Sequence, residues 1–400
     1  MKISKRIEKM NFSSIRKLTP LADEARRKGI KIYPLNIGQP DIVTPDTFFQ
    51  GVNNYKEKIV KYSNSEGITE LRETFSKNFR KWNMDILPDE ILITAGGSEA
   101  VIFTILSICD PGDEVIVPEP YYSNYDSFVK MADSSIVPVH TSIEDGFHLP
   151  SKEEIVSKIT SKTKAILFSN PSNPTGTVYT EAEIKMLGEI AEEYDLYIIS
   201  DEVYREFTFE NTSFISPIKF ENLRKRTIII DSISKHYSAC GARIGLVATK
   251  NEDLKMQMLK LCQARLCAST IEQYAASNLI NTLESYIEKV KAIYKSRRDV
   301  MYEGLCNIEG VTCFKPEGSF YIFVKLPIDD GEKFSRWLLT DFNHDGETVM
   351  VAPGKGFYQS EGRGINEIRL SYCIDEKEIK RAIEILNIAI KEYNKLNVKY

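Results

Sequence analysis

Histidine is scarce in this chain: His140, His148, His236 and His344 are the only four among 400 residues. They are too few and too dispersed to build a metal-ligand set, so a metal-free site is expected. The seven cysteines, Cys109, Cys240, Cys262, Cys267, Cys306, Cys313 and Cys373, are an odd number without the close pairs that mark zinc or dithiol redox sites. They read as small buried hydrophobes. No apolar run reaches the ~18 residues of a membrane span, and the charged stretch from Met1 to Met10 has no signal-peptide core. A cytoplasmic protein without a membrane partner is expected. Positive charge is not in excess either, since 52 Lys and Arg stand against 57 Asp and Glu for a net charge of −5. The densest basic runs, Arg224-Lys-Arg226 and Arg297-Arg298, are short enough to be solvated faces, which leaves no electrostatic footprint for nucleic acid. Internal repeats and low-complexity linkers are also missing.

What is present is core-forming material, 42% hydrophobic and 27% charged residues, in a chain longer than one core usually supports. Two domains are therefore expected. From about residue 90, short apolar runs alternate with helical patterns. Strands are expected at Ile91 to Thr94, Glu114 to Val117, Ile136 to Val139, Ala165 to Ser169, Tyr197 to Ser200, Thr227 to Ile230 and Gly245 to Thr249, with helices at Ser98 to Ile108 and Glu181 to Tyr194. Alternation of this kind predicts an α/β fold, a mostly parallel seven-stranded sheet flanked by helices. A long amphipathic stretch from about Leu283 to Cys306 follows. Strands at Val311 to Phe314, Phe320 to Val324, Val349 to Ala352 and Ile368 to Ser371, with a last helix near Glu376 to Tyr393, suggest a smaller α+β domain.

Three polar clusters follow apolar runs, where such sheets hold ligands. They are Asn170-Pro-Ser-Asn-Pro-Thr-Gly176, Asp201-Glu-Val-Tyr204, and Ser232-Ile-Ser-Lys235 with Arg243 eight residues beyond the lysine. Singly, each has a bland reading: a surface lysine, a helix-capping Asp, an Asn in a turn between Pro171 and Pro174. Together they supply an amine, a carboxylate, hydroxyl and amide donors and a phosphate-binding cation, the set that pyridoxal phosphate needs.

With Leu35-Asn-Ile-Gly-Gln-Pro-Asp41, Tyr62, Glu66-Gly-Ile-Thr-Glu-Leu-Arg72, Ala95-Gly-Gly-Ser-Glu99, Pro120-Tyr-Tyr122 and Ile368-Arg-Leu-Ser-Tyr372 added, the chain resembles the class I/II pyridoxal-phosphate aminotransferases of the aspartate aminotransferase fold over nearly its whole length. The resemblance implies a large cofactor-binding domain over residues 46–290 and a small domain formed by 1–45 and 291–400. It implies that Lys235 is the amine that links to the cofactor and then moves the proton, and that Asp201 faces the ring nitrogen. Tyr204 and Asn173 would face the phenolate, with Tyr122 stacked on the ring, although a tyrosine there also suits a core. Gly97, Ser98, Ser232 and Arg243 would take the phosphate, joined by Tyr62 from the other subunit of a homodimer. Arg369 would fork the substrate α-carboxylate, assisted by Gly38 and Asn173; a lysine would match its charge but not its planar geometry.

The expected activity is reversible transfer of an amino group from an L-amino acid, aspartate or another common one, to a 2-oxo acid by a ping-pong cycle. A carbon-sulfur lyase of the same fold would keep the same cofactor shell. A cofactor-sensing regulator fits less well, because the aminotransferase pattern begins by Leu35 and leaves no room for a DNA-binding module. Ser98 stands where related aspartate-acting enzymes have a basic residue. Arg265, in Cys262-Gln-Ala-Arg-Leu-Cys267, reads either as an arginine paired with a nearby carboxylate or as a receptor for a substrate side-chain carboxylate.

Overall fold

The computed structural model describes residues 1–210 and 212–397. Thirteen strands occur among these residues, in three sheets. They are β1 (Lys31–Pro34), β2 (Ile91–Thr94), β3 (Glu114–Glu119), β4 (Ser135–His140), β5 (Thr163–Ser169), β6 (Tyr197–Asp201), β7 (Thr227–Ser232), β8 (Gly245–Thr249), β9 (Thr312–Cys313), β10 (Tyr321–Lys325), β11 (Glu347–Met350), β12 (Ala352–Pro353) and β13 (Glu367–Ser371). The large sheet has the order β2-β8-β7-β6-β5-β3-β4, and only β8 runs against its neighbours. Helices cover both faces, so β5, β6 and β7 are buried on both sides and read as continuous apolar runs such as Ile228-Ile-Ile230.

β8 is antiparallel for a local reason. The link from β7 carries only a one-turn helix, Ile233–His236, and a 3₁₀ turn, Cys240–Ala242, so the chain doubles back instead of crossing over. The amino end of β8 therefore lies at the same sheet edge as the carboxyl ends of β5, β6 and β7. That reversal puts Arg243, just before β8, on the same edge as Lys235, just after β7.

Elsewhere, caps set the helix starts. In Glu181–Glu193 the Thr180 side chain accepts from the Glu183 amide and the Glu183 carboxylate accepts from the Thr180 amide, which satisfies two donors left free at a helix start. Helix Gly331–Thr340 starts with Asp330 accepting from the amides of Glu332 and Lys333.

A second, four-stranded antiparallel sheet has the order β12-β13-β10-β9, and β1 pairs in parallel with β11. The first residues of the chain thus pack on its last part. One core cluster joins Tyr33 and Leu35 to Tyr294, Phe320, Leu370 and Ile385. Among the described residues no helix is long and apolar enough to cross a membrane.

Candidate active site

A cavity of about 660 Å³ opens between the carboxyl edge of the large sheet and the small sheet, within the size range of small-molecule sites. Gly38, Gly97, Ser98, Tyr122, Asn173, Asp201, Tyr204, Ser232, Lys235, Arg243 and Arg369 all line it. Every residue singled out in the sequence as catalytic, cofactor-binding or substrate-binding is therefore brought together, with one exception. Tyr62 is 79% exposed and does not line the cavity within one chain.

Lys235 lies in the short helix after β7 and its Nζ donates to the Gly38 carbonyl at 2.7 Å. Gly38 has to be glycine, because a Cβ there would come within 2.1 Å of the Tyr321 hydroxyl. Asp201, the last residue of β6, is buried. Tyr125 donates its hydroxyl to Asp201 Oδ2 at 2.6 Å, and the Val203 amide approaches Oδ1 at 3.4 Å. Burial pushes the Asp201 carboxyl up to about 6, partly opposed by these two donors. The Tyr204 hydroxyl shares a 2.8 Å hydrogen bond with that of Tyr321.

Arg369 sits at the middle of β13 between β12 and β10 and is 1% exposed. Its Nη1 donates to Asn173 Oδ1 at 2.9 Å and its Nη2 to the Asn36 carbonyl at 2.6 Å, while Nε has no partner. The Tyr321 and Phe357 rings lie 4.2 and 5.0 Å from the guanidinium. No described carboxylate pairs with it, and burial lowers its pKa. An arginine buried without a counter-ion is costly, so the arrangement is built for an anion that arrives from solution.

Among the described residues the Arg243 guanidinium likewise hydrogen-bonds only to carbonyls, those of Cys240 at 3.0 Å and Ala95 at 3.3 Å. It is held at φ +53°, in the left-handed region that side chains seldom occupy. Gly96, at φ +82°, passes directly beneath it, where a Cβ would come within 2.4 Å of Nη2. The helix Gly97–Ile108 begins there, so its free amides and this guanidinium face the same end of the cavity, a cradle for a dianion.

Beneath the site, the buried Arg205 joins Glu202 at 3.3 Å and also Asp231, which immediately precedes Ser232. Asn170–Pro171, in the turn that carries Asn173, is a cis peptide bond.

Arg265 takes the paired reading. Its Nη1 lies 3.2 Å from Glu99 Oε2, its Nη2 donates to the Ile93 carbonyl at 3.1 Å, and it does not line the cavity of its own chain. The sequence reading passed over Tyr125, Tyr321 and the segment Ser13 to Arg16. Tyr125 lies one helical turn beyond Tyr122, a spacing that would have placed both on the same side. Tyr321 opens β10 after the Gly318 turn, and Arg16 carries no local signal.

The model of the family described as aminotransferase class I and II matches residues 30–386. The aspartate aminotransferase of Bacillus subtilis is 31% identical over 404 residues, 98% of this chain and all of the relative. The aspartate/prephenate aminotransferase of Thermus thermophilus is 31% identical, over 96% and 97% of the two chains. Among solved structures, the alanine aminotransferase from Pyrococcus furiosus superposes with a TM-score of 0.89 at 32% identity, over 98% of this chain and 100% of that one.

Proposed function

The chain belongs to the class I and II aminotransferases, transaminases that work with pyridoxal 5'-phosphate, and from that membership we propose that it moves the amino group of an L-amino acid, aspartate being the first choice, to a 2-oxo acid in a ping-pong cycle. The observation that carries this reading is the meeting of Lys235, Asp201 and the unpaired Arg369 in one cavity. The cavity's residues fit the cofactor. Among the described residues Arg243, over the Gly96 turn, has no carboxylate partner and offers its cation to a phosphate, and Asp201 has no cationic partner in its buried place.

Bound there, the cofactor supplies an aldehyde for the amine and a ring that takes up charge from the donor's α-carbon. Lys235 is the amine and then the base that moves the proton at that carbon. Asp201 would keep the ring nitrogen protonated, Tyr204 and Asn173 would donate to the phenolate, and Tyr122 would pack on the ring. Gly97, Ser98, Ser232 and Arg243 would hold the phosphate. The Arg369 fork takes the substrate α-carboxylate, with Asn173 orienting it and Gly38 beside it.

The division into a cofactor-binding body over residues 46–290 and a smaller body from 1–45 and 291–400 belongs to the same proposal, and the pairing of β1 with β11 supports it. So does a homodimer. Phe49, Ile59, Val60 and Tyr62 are exposed apolar or aromatic residues on segments that contact helix Thr270–Ser277, a patch of the kind that marks a protein interface. Tyr62 in that patch would reach the phosphate of the partner subunit. Mixing Lys235→Ala chains with impaired Tyr62→Ala chains should restore one intact site per heterodimer, measured as turnover in purified heterodimers. Turnover no higher than either parent would mean that each chain builds its own site.

The activity is tested with purified holoenzyme and a panel of amino donors. Turnover should require a 2-oxo acid, with parallel double-reciprocal plots as acceptor concentration varies. Continued product release without any 2-oxo acid would instead identify a lyase.

A further inference from the structure

We propose that Arg16 selects the donor, by binding the distal carboxylate of a dicarboxylic amino acid whose α-carboxylate lies on Arg369; this rests on the aminotransferase reading above. Four cationic side chains, Arg16, Lys235, Arg243 and Arg369, line the cavity against a single carboxylate, Asp201. Three of the four have assigned work, at the cofactor amine position, the phosphate and the α-carboxylate. Arg16 has none. Its side chain makes no hydrogen bond or ion pair with any described residue, whereas its neighbour Lys17 pairs with Glu332 at 2.8 Å.

The backbone that carries Arg16 is fixed, and it is fixed by the residues that fix Arg369. Ser14 is buried against Gly356 so closely that a Cβ on that glycine would come within 2.1 Å of the Ser14 Cβ. Ile15 packs on the cluster containing Phe357, the same ring that flanks the Arg369 guanidinium at 5.0 Å. Asn36, fully buried, donates from Nδ2 to the Ile15 carbonyl at 3.3 Å, while its own carbonyl accepts from Arg369 Nη2 at 2.6 Å. One asparagine and one phenylalanine thus hold the backbone that carries Arg16 beside Arg369 on the cavity wall, while the Arg16 side chain is itself exposed and free to turn onto a ligand.

Within the chain that carries Arg16, Ser98 brings no charge and Arg265 pairs with Glu99 outside that chain's cavity. Overall likeness does not choose the donor, since the aspartate-named relative from Bacillus subtilis and the alanine-named structure from Pyrococcus furiosus stand at 31% and 32% identity. The unpaired guanidinium does choose. A monocarboxylic donor would leave it unmatched, and an aspartate or glutamate side chain would pair with it in a bidentate, charge-assisted contact.

The test compares wild-type, Arg16→Ala and Arg16→Lys holoenzymes on aspartate and glutamate against alanine and phenylalanine. Arg16→Ala should lower kcat/KM for the two dicarboxylic donors by about 10- to 100-fold and leave alanine within about twofold, with Arg16→Lys recovering part of the loss. In parallel, succinate should inhibit the wild type more tightly than butyrate, and Arg16→Ala should erase that difference. Equal losses for all donors, an unchanged donor ratio, or a wild type that prefers monocarboxylic donors would overturn the assignment of Arg16. A wild type that transaminates no donor at all would overturn the proposed activity instead.

Discussion

Lys235→Ala should lose about 10,000-fold or more in transaminase turnover, because one side chain is asked both to hold the cofactor covalently and to move the proton. Among the described residues Lys235 is the only lysine that lines the cavity, so none of them offers a neighbouring amine to take over. The variant should still fold, since the side chain contributes a single short hydrogen bond, to the Gly38 carbonyl at 2.7 Å. It should also still bind cofactor through Arg243 and Asp201. Borohydride reduction of the wild-type holoenzyme followed by peptide mapping should find the cofactor attached at position 235. Attachment at any other lysine would sink the assignment, as would near-normal turnover by a correctly folded variant.

Asp201→Asn should separate activity from stability in opposite directions. With the charge gone, the ring nitrogen loses its counter-ion, and the amino-acid half-reaction should slow by on the order of 3 kcal/mol of transition-state stabilisation, more than 100-fold. The cofactor-free protein should respond otherwise. Burial raises the Asp201 carboxyl from 3.8 to about 6, so the folded state binds this proton more tightly than the unfolded chain. The group's contribution to stability is therefore intact below about 3.8 and is lost as pH rises through about 6, which amounts to roughly 3 kcal/mol at pH 8. Asn keeps the shape, can accept from Tyr125 and carries no charge. Urea unfolding of the cofactor-free forms should show the variant more stable than the wild type at pH 8, with the advantage shrinking from pH 6 towards 4. A cofactor-free variant no more stable at pH 8 would mean that the carboxylate is not strained by its burial.

Both predictions concern residues that could be picked out by eye, since Lys235 and Asp201 follow apolar runs that become β7 and β6. All seven expected strands of the large sheet are present near their expected bounds, because strands buried on both faces need unbroken apolar runs and these announce themselves. β1 did not. Lys31–Pro34 is four residues long, contains a proline, and gains its pairing only from β11 near the other end of the chain. The single strand expected at Val349 to Ala352 is in fact split, with β11 ending at Met350 beside β1 and Ala352 joining β13 in a different sheet. Which sheet a short apolar run joins is settled by its partners, not by its own residues.

At the site the division is similar. Local chemistry determined that an amine, a carboxylate and an arginine would stand at the ends of strands, and the order of the motifs determined which cofactor they suit. Which charges would be left unpaired was decided by the tertiary structure alone. Glu99 satisfies Arg265, Tyr125 is the donor that holds Asp201, and Asn173 and Asn36 hold Arg369 across separations of 196 and 333 residues. Arg16, an unremarked residue of the N-terminal segment, ends on the cavity wall because Ser14 and Ile15 find places against Gly356 and Phe357. A side chain's type is local to the chain, but its net electrostatic environment is a sum over segments that only folding brings within a few ångströms.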